Sequence, residues 1–127
     1  MQVFKSKEFA RFSRKNQIAD SDLCRAIQEI LAGAIDADLG GGVFKQRLRR
    51  KGEGKSGGFR TIILLRLKSL AIFAYGFAKN ERANITFDEL TVWRKIAKEL
   101  LPSQVAVEAA LDQGKLIQVV CDEKTIP

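Results

Sequence analysis

Residues 43–79, VFKQRLRRKGEGKSGGFRTIILLRLKSLAIFAYGFAK, decide the fold. Side chains alternate over residues 43–49, with Lys45, Arg47 and Arg49 on one face and Phe44, Gln46 and Leu48 on the other. A period of two marks a strand. Residues 60–67 and 70–79 are rich in β-branched and aromatic side chains, which suit a pleated surface. Lys68-Ser69 leaves room only for a tight turn between them, and Gly52, Gly54, Gly57 and Gly58 make a looser connection ahead of Arg60. The three runs predict an antiparallel meander with a nearly continuous apolar centre.

Within it, residues 45–60 hold seven basic side chains against one acid, about six of the chain's net charge of +7. Each phosphate that a cation neutralises releases condensed counterions, so charge gathered on a hairpin reads as a phosphate-binding surface. The plain alternative is a solvated turn that keeps an edge strand soluble. Such faces usually mix both signs. Here Lys45, Arg47 and Arg49 alternate on one strand, Arg60 lies across the hairpin and Lys79 closes the next strand. Paired in that order, the five cations are expected to meet on one concave patch.

Phe73, Tyr75, Phe77 and Lys79 share a face by the same period. The rings read as core, with Tyr75 and Phe77, at the basic end, best placed to stack on a base. Glu81 follows the strand among cations, which keep a carboxylate ionised, so it reads as an orienting partner for Arg60. Histidine is absent, which removes the usual general base. A lysine crowded by other cations is then the side chain best suited to accept a proton, and Lys45, Lys51 and Lys55 are the candidates. Gly54-Lys55-Ser56 invites a nucleotide-loop reading, but Arg49 stands where that motif needs glycine and a strand follows where it needs a helix.

Working outward, residues 2–5 predict a short edge strand and residues 7–15 a helix with Phe9 and Phe12 on one face. A second helix, capped by Asp20 or Ser21, carries Leu23, Ile27, Ile30, Leu31 and Ala34 on one stripe and runs to about residue 35. Past the meander, Thr86-Phe87-Asp88-Glu89 is a capping box. The helix it opens bears Leu90, Trp93, Ala97, Leu100 and Leu101 on one stripe and stops before Pro102. Residues 104–113 predict a shorter helix ending at Gly114, and residues 116–120 a last strand.

At 127 residues, with 46 % hydrophobic and 29 % charged side chains, the chain has the size and composition of one soluble domain spanning residues 1–127. Its pI near 9.7 favours an anionic partner. No apolar run approaches the ~20 residues that span a bilayer, and the charged N-terminus lacks a signal-like core, so no membrane role and a cytoplasmic location are expected. Cys24 and Cys121, far apart in sequence, read as reduced thiols. Without histidine, neither a metal site nor a cofactor is expected.

Three segments carry a resemblance: residues 41–47 (GGVFKQR), residues 51–60 (KGEGKSGGFR) and residues 77–81 (FAKNE). Together with the order of elements they resemble the RelE/ParE superfamily of type II toxins, its HigB/RelE-like branch most closely, over about residues 1–101. The resemblance implies an α+β, RelE-like fold: two N-terminal helices packed on a twisted, mainly antiparallel sheet, with C-terminal helices. It implies a toxin that enters the ribosomal A site and cleaves mRNA without a metal, the ribose 2′-OH attacking the adjacent phosphate. Lys45, Arg47, Arg60 and Lys79 then match catalytic positions, and Arg49, Arg50, Lys51, Lys55 and Glu81 RNA-binding ones. Phe77 stands where an aromatic hydroxyl is common, Asn80 where RelE proper has arginine, and no C-terminal tyrosine or histidine follows Pro102.

The implied partners are mRNA on the ribosome and a small antitoxin of helix-turn-helix type, with operator DNA reached only through that antitoxin. Two other functions fit the same composition. One is a ParE-like inhibitor of DNA gyrase; the other is a basic module that binds nucleic acid or ribosomes without cleaving them.

Overall fold

The meander forms with β3 (Val43–Leu48), β4 (Phe59–Arg66) and β5 (Leu70–Ala78) paired antiparallel in that order. The computed structural model describes residues 1–49 and 58–121 of the chain. Ahead of the meander come β1 (Gln2–Ser6), α1 (Lys7–Lys15), α2 (Asp20–Leu31) and the two-residue β2 (Ala37–Asp38). After it come α3 (Phe87–Leu100), α4 (Gln104–Asp112) and β6 (Leu116–Gln118). The strands make one six-stranded sheet in the order β2-β3-β4-β5-β1-β6. β1 is therefore no edge strand: it lies parallel to β5, and β6 closes the edge antiparallel to it. A five-residue strand carries no local mark of which neighbours will claim it.

Each sheet face carries its own helices and its own core. On one side Phe9 of α1 and Leu23, Ile27 and Ile30 of α2 pack on Phe44, Leu48, Phe59, Ile63 and Phe73. On the other, Ala97 of α3 and Val107 of α4 pack on Val43, Ile62, Leu64 and Ile72, with Leu90 and Trp93 half-buried against them. Full burial of each such side chain is worth about 1.5–3 kcal/mol, so both faces are held mainly by apolar contact. The architecture is α+β, with the N-terminal and C-terminal helix pairs on opposite faces. That is the expected class.

A β-bulge resets the face pattern of β5. Ile62 pairs with Tyr75 but Ile63 pairs with Phe73, leaving Ala74 as the extra residue. The expectation that Phe73 shares a face with Tyr75 and Phe77 is overturned. Phe73 turns to α1, 5.4 Å from the Phe9 ring, while Tyr75 turns to α3, stacked 6.2 Å from Trp93. Ser6 stabilises the irregularity: its hydroxyl donates to the Ala74 carbonyl at 2.9 Å and accepts from Phe9 N–H as the cap of α1.

The second helix also departs from its sequence reading at both ends. Its cap is Ala19, not Asp20 or Ser21, and the Asp22 carboxylate accepts the Ala19 N–H at 2.9 Å. Asp20 instead pairs with Lys5 at 2.9 Å, tying α2 to β1. The helix stops at Leu31, short of residue 35, because Gly33 turns left-handed at φ 94°. The following segment is held by buried Gln46, which donates to the Ala34 carbonyl and accepts from the Asp36 N–H. That accounts for an amide at a core-facing position.

Cys24 and Cys121 are not free thiols. They form a disulfide, with Cα atoms 5.8 Å apart, that fastens the segment after β6 to α2. The capping box of α3 forms as read, Thr86 Oγ1 accepting from Glu89 N and Glu89 from Thr86 N. Gly114 follows α4 at φ 73°. No helix among the described residues is long and apolar enough to cross a membrane.

Candidate nucleic-acid interface

The register of the meander arranges the cations in rows on the face that carries α3 and α4. Arg47, Arg60 and Phe77 are successive cross-strand partners, and the next row is Lys45, Ile62 and Tyr75. Lys45, Arg47 and Arg60 thus leave the same face of two adjacent strands. Arg47 is exposed, but Arg60 is buried, with 8 % of its surface exposed. Its guanidinium donates to the neighbouring Phe59 carbonyl at 3.4 Å, and no carboxylate among the described residues forms an ion pair with it.

The other predicted positions divide. Lys45 Nζ donates to Asn84 Oδ1 at 3.5 Å, which brings the loop after β5 over the same row. Arg47 is shared with the protein: its backbone N–H donates to Asp36, and its Nε lies 3.9 Å from the same carboxylate. At 3.9 Å between half-exposed groups this bond holds the side chain only weakly. Lys79 is exposed at the first turn position past β5, two residues beyond Phe77. Arg49, exposed one residue past β3, departs from the expected shared patch: it lines a cleft with Lys15, Asp22 and Phe59 on the side of α1. Arg50, Lys51 and Lys55 lie outside the described residues.

Glu81 is not the partner of Arg60. It is exposed in the turn, where its N–H donates to Ala78, and it makes no ion pair among the described residues. The carboxylate that does pair is Glu89, and its partner is Arg82, to which the sequence reading assigned no role. Arg82 Nη1 donates to Glu89 Oε2 and to the Tyr75 hydroxyl, each at 3.1 Å, while Nη2 donates to Glu89 Oε1. The guanidinium carbon also sits 5.6 Å from the centre of the Phe77 ring and 5.8 Å from that of Tyr75. The two-pronged hydrogen bond from Arg82 is the main reason the Glu89 carboxyl falls to about 2, helped by the Thr86 N–H. In return Glu89 first, and Tyr75 second, push the Arg82 guanidinium further above its ordinary value.

This clamp changes the role of the aromatic pair. Tyr75 and Phe77, considered as platforms for a base, are already covered by Arg82 and Trp93 of their own chain. The clamp was hidden because Glu89 reads locally as a capping-box residue and does serve as one. Its second duty depends on a loop folding back across the sheet. The only clue in the sequence was an arginine seven residues before an acid already placed at a helix start.

Chemically, the face offers point charges and forked donors suited to a phosphodiester. Arginine grips phosphate through two parallel N–H bonds, and lysine adds a mobile charge. The structure thus defines a small α+β protein with Lys45, Arg47 and Arg60 on one face of its sheet. The sequence matches the RelE family, described as the RelE toxin of the RelE/RelB toxin–antitoxin system, over residues 1–119, and the chain belongs to that family. No curated protein matches the sequence. The family match runs beyond residue 101, where the resemblance read from the sequence ended, and takes in α4 and β6.

Proposed function

We propose that this toxin is a ribosome-dependent mRNA endoribonuclease, nearest in character to the HigB/RelE-like branch, and that the row of Arg47 and Arg60 grips the scissile phosphate. The observation that carries this reading is the placing of two arginines directly opposite each other, one of them buried. Like charges in a cross-strand pair repel, and a buried cation is costly until an anion meets it. A phosphate between the two relieves both costs at once.

The reaction needs little more than position and charge. The 2′-hydroxyl attacks the adjacent phosphorus in line, its proton passes to a base, and the 5′-oxygen of the next nucleotide leaves with a proton. The products are a 2′,3′-cyclic phosphate and a free 5′-hydroxyl. Arg47 and Arg60 stabilise the charge that builds on the non-bridging oxygens. Lys45, one row away, and Lys79, beyond the end of β5, are the groups proposed to move the two protons. The ribosome supplies the alignment that makes a weak base sufficient. A cognate antitoxin, a small helix-turn-helix protein, covers this cationic face and carries operator binding.

The test is to map mRNA ends in a translation extract with the native protein, Lys45→Ala and Arg60→Ala. Breaks at fixed codon positions, lost in both variants while circular dichroism stays native, support the reading. Intact mRNA together with inhibited DNA supercoiling would replace it with gyrase inhibition. Full cleavage by both variants would move the chemistry elsewhere.

A further inference from the structure

We infer that α1 carries a second RNA-binding surface, on the opposite side of the sheet from the proposed cleavage site, which takes the phosphate backbone of duplex RNA. The inference rests on the reading that this toxin works on RNA, and it concerns how the substrate assembly is held rather than how it is cut.

Lys7, Arg11, Arg14 and Lys15 are all exposed on the nine-residue α1. At 100° per residue they fall within an arc of about 100°, a single stripe roughly 12 Å long. The opposite side of the helix buries Phe9, Ala10 and Ser13. Glu8 stands at the edge of the stripe, and none of the four cations makes an ion pair among the described residues. Arg25 nearby is different, lying 3.5 Å from Asp22.

Arg14 and Lys15, in the last turn, suit the helix dipole, but the rest of the arrangement works against the helix that bears it. Lys7 with Arg11, and Arg11 with Lys15, are like charges at i and i+4, which destabilise an isolated helix. Lys7 also lies in the first turn, where the helix dipole favours an anion. An exposed helix selected for solubility alone would interleave acids here.

The stripe also continues. Lys15, at the end of α1, and Arg49, just past β3, line one cleft of about 280 Å³ floored by Phe59. Asp22 is the acid in that cleft, and it is held by Arg25 and the Ala19 N–H. A track of cations therefore runs from Arg49 past Lys15 and along α1. The exposed stripe has no apolar side chain for a peptide partner to bury, which a protein interface needs at its centre. A phosphate backbone needs none.

The experiment uses the full-length toxin and a 20-base-pair RNA duplex as probe, without ribosomes. The variant is Lys7→Gln combined with Arg11→Gln and Arg14→Gln. Loss of three phosphate contacts predicts about tenfold or greater weakening at moderate salt, and a salt dependence of log K shallower by about 2–3. Its melting temperature should equal or exceed that of the native toxin, which separates lost contact from lost folding. Lys45→Ala should leave the part of the salt dependence due to α1 intact. If duplex binding depends on α1 while the native toxin never cleaves mRNA, the proposed function fails and this inference stands. Unchanged duplex affinity and salt slope in the triple variant would overturn it, as would a loss confined to antitoxin binding.

Discussion

Arg47 on β3 and Arg60 on β4 are direct cross-strand partners, so two guanidinium-bearing side chains leave one face of the sheet with roots about 5 Å apart. Phe77 completes the row on β5. Such a pair is a local electrostatic fault, and under the proposed function a phosphate would relieve it.

Arg47→Gln should therefore raise stability while lowering activity. Removing one of two opposed cations is expected to lift the melting temperature by about 2–4 °C. Cleavage of mRNA should fall about tenfold or more, as when a phosphate-gripping donor is lost. Differential scanning fluorimetry beside end mapping checks both. A lower melting temperature would show that the 3.9 Å contact with Asp36 outweighs the repulsion.

The Arg82–Glu89 clamp predicts a specific acid sensitivity. Glu89 has a folded value of about 2 against an ordinary 4.5, so the unfolded chain takes up its proton first as pH falls. The stabilisation is complete above pH 4.5 and is lost as pH drops towards 2. The gap in urea midpoint between native protein and Glu89→Gln should then be widest near pH 6, narrow below about 4.5 and close only near 2. A gap that stays constant over this range would mean the carboxylate contributes nothing through its charge.

At Gly76 on β5 two rings of α1 lie close against the sheet. A Cβ there would sit 2.5 Å from the Phe12 ring and 3.0 Å from the Phe9 ring. Gly76→Ala should cost about 1–3 kcal/mol by overpacking. Adding Phe12→Leu should recover part of it. Chemical denaturation measures both, and a single variant as stable as the native protein would refute the contact.

The disulfide predicts no titratable thiol in the unreduced, denatured protein and two after reduction. Because Cys24 and Cys121 are 97 residues apart, the bond closes most of the described chain into one loop. Cys121→Ser should cost about 2–4 kcal/mol by the usual scale for native disulfides. Two thiols found without reductant would count against the bond.

How much of this was legible depended on range. The alternation of residues 43–48, the Thr86–Glu89 capping box and the turn at Gly114 are written within a few residues and formed as read. Lys45, Arg47 and Arg60 could be put on one face because side chains alternate along neighbouring strands that pair in chain order. Of the failures, the two ends of α2 are local, answering to Asp22 and Gly33, and the others are long-range. The Ala74 bulge answers to Ser6, sixty-eight residues away. The place of β1 answers to β5 and β6, and Cys24 to Cys121. Arg82 was overlooked because its partner already had a local explanation.

By itself the sequence determined the class of fold, the pairing of three strands and the concentration of positive charge on them. Periodicity and turn chemistry act over a few residues, and composition needs no coordinates. Only the tertiary structure decided that Arg60 is buried, that the Tyr75 and Phe77 rings are already covered by Arg82, and that α1 presents its cations on the far side of the sheet. Each of those depends on which distant segment fills the space above a residue. That is settled by packing, which no local pattern records.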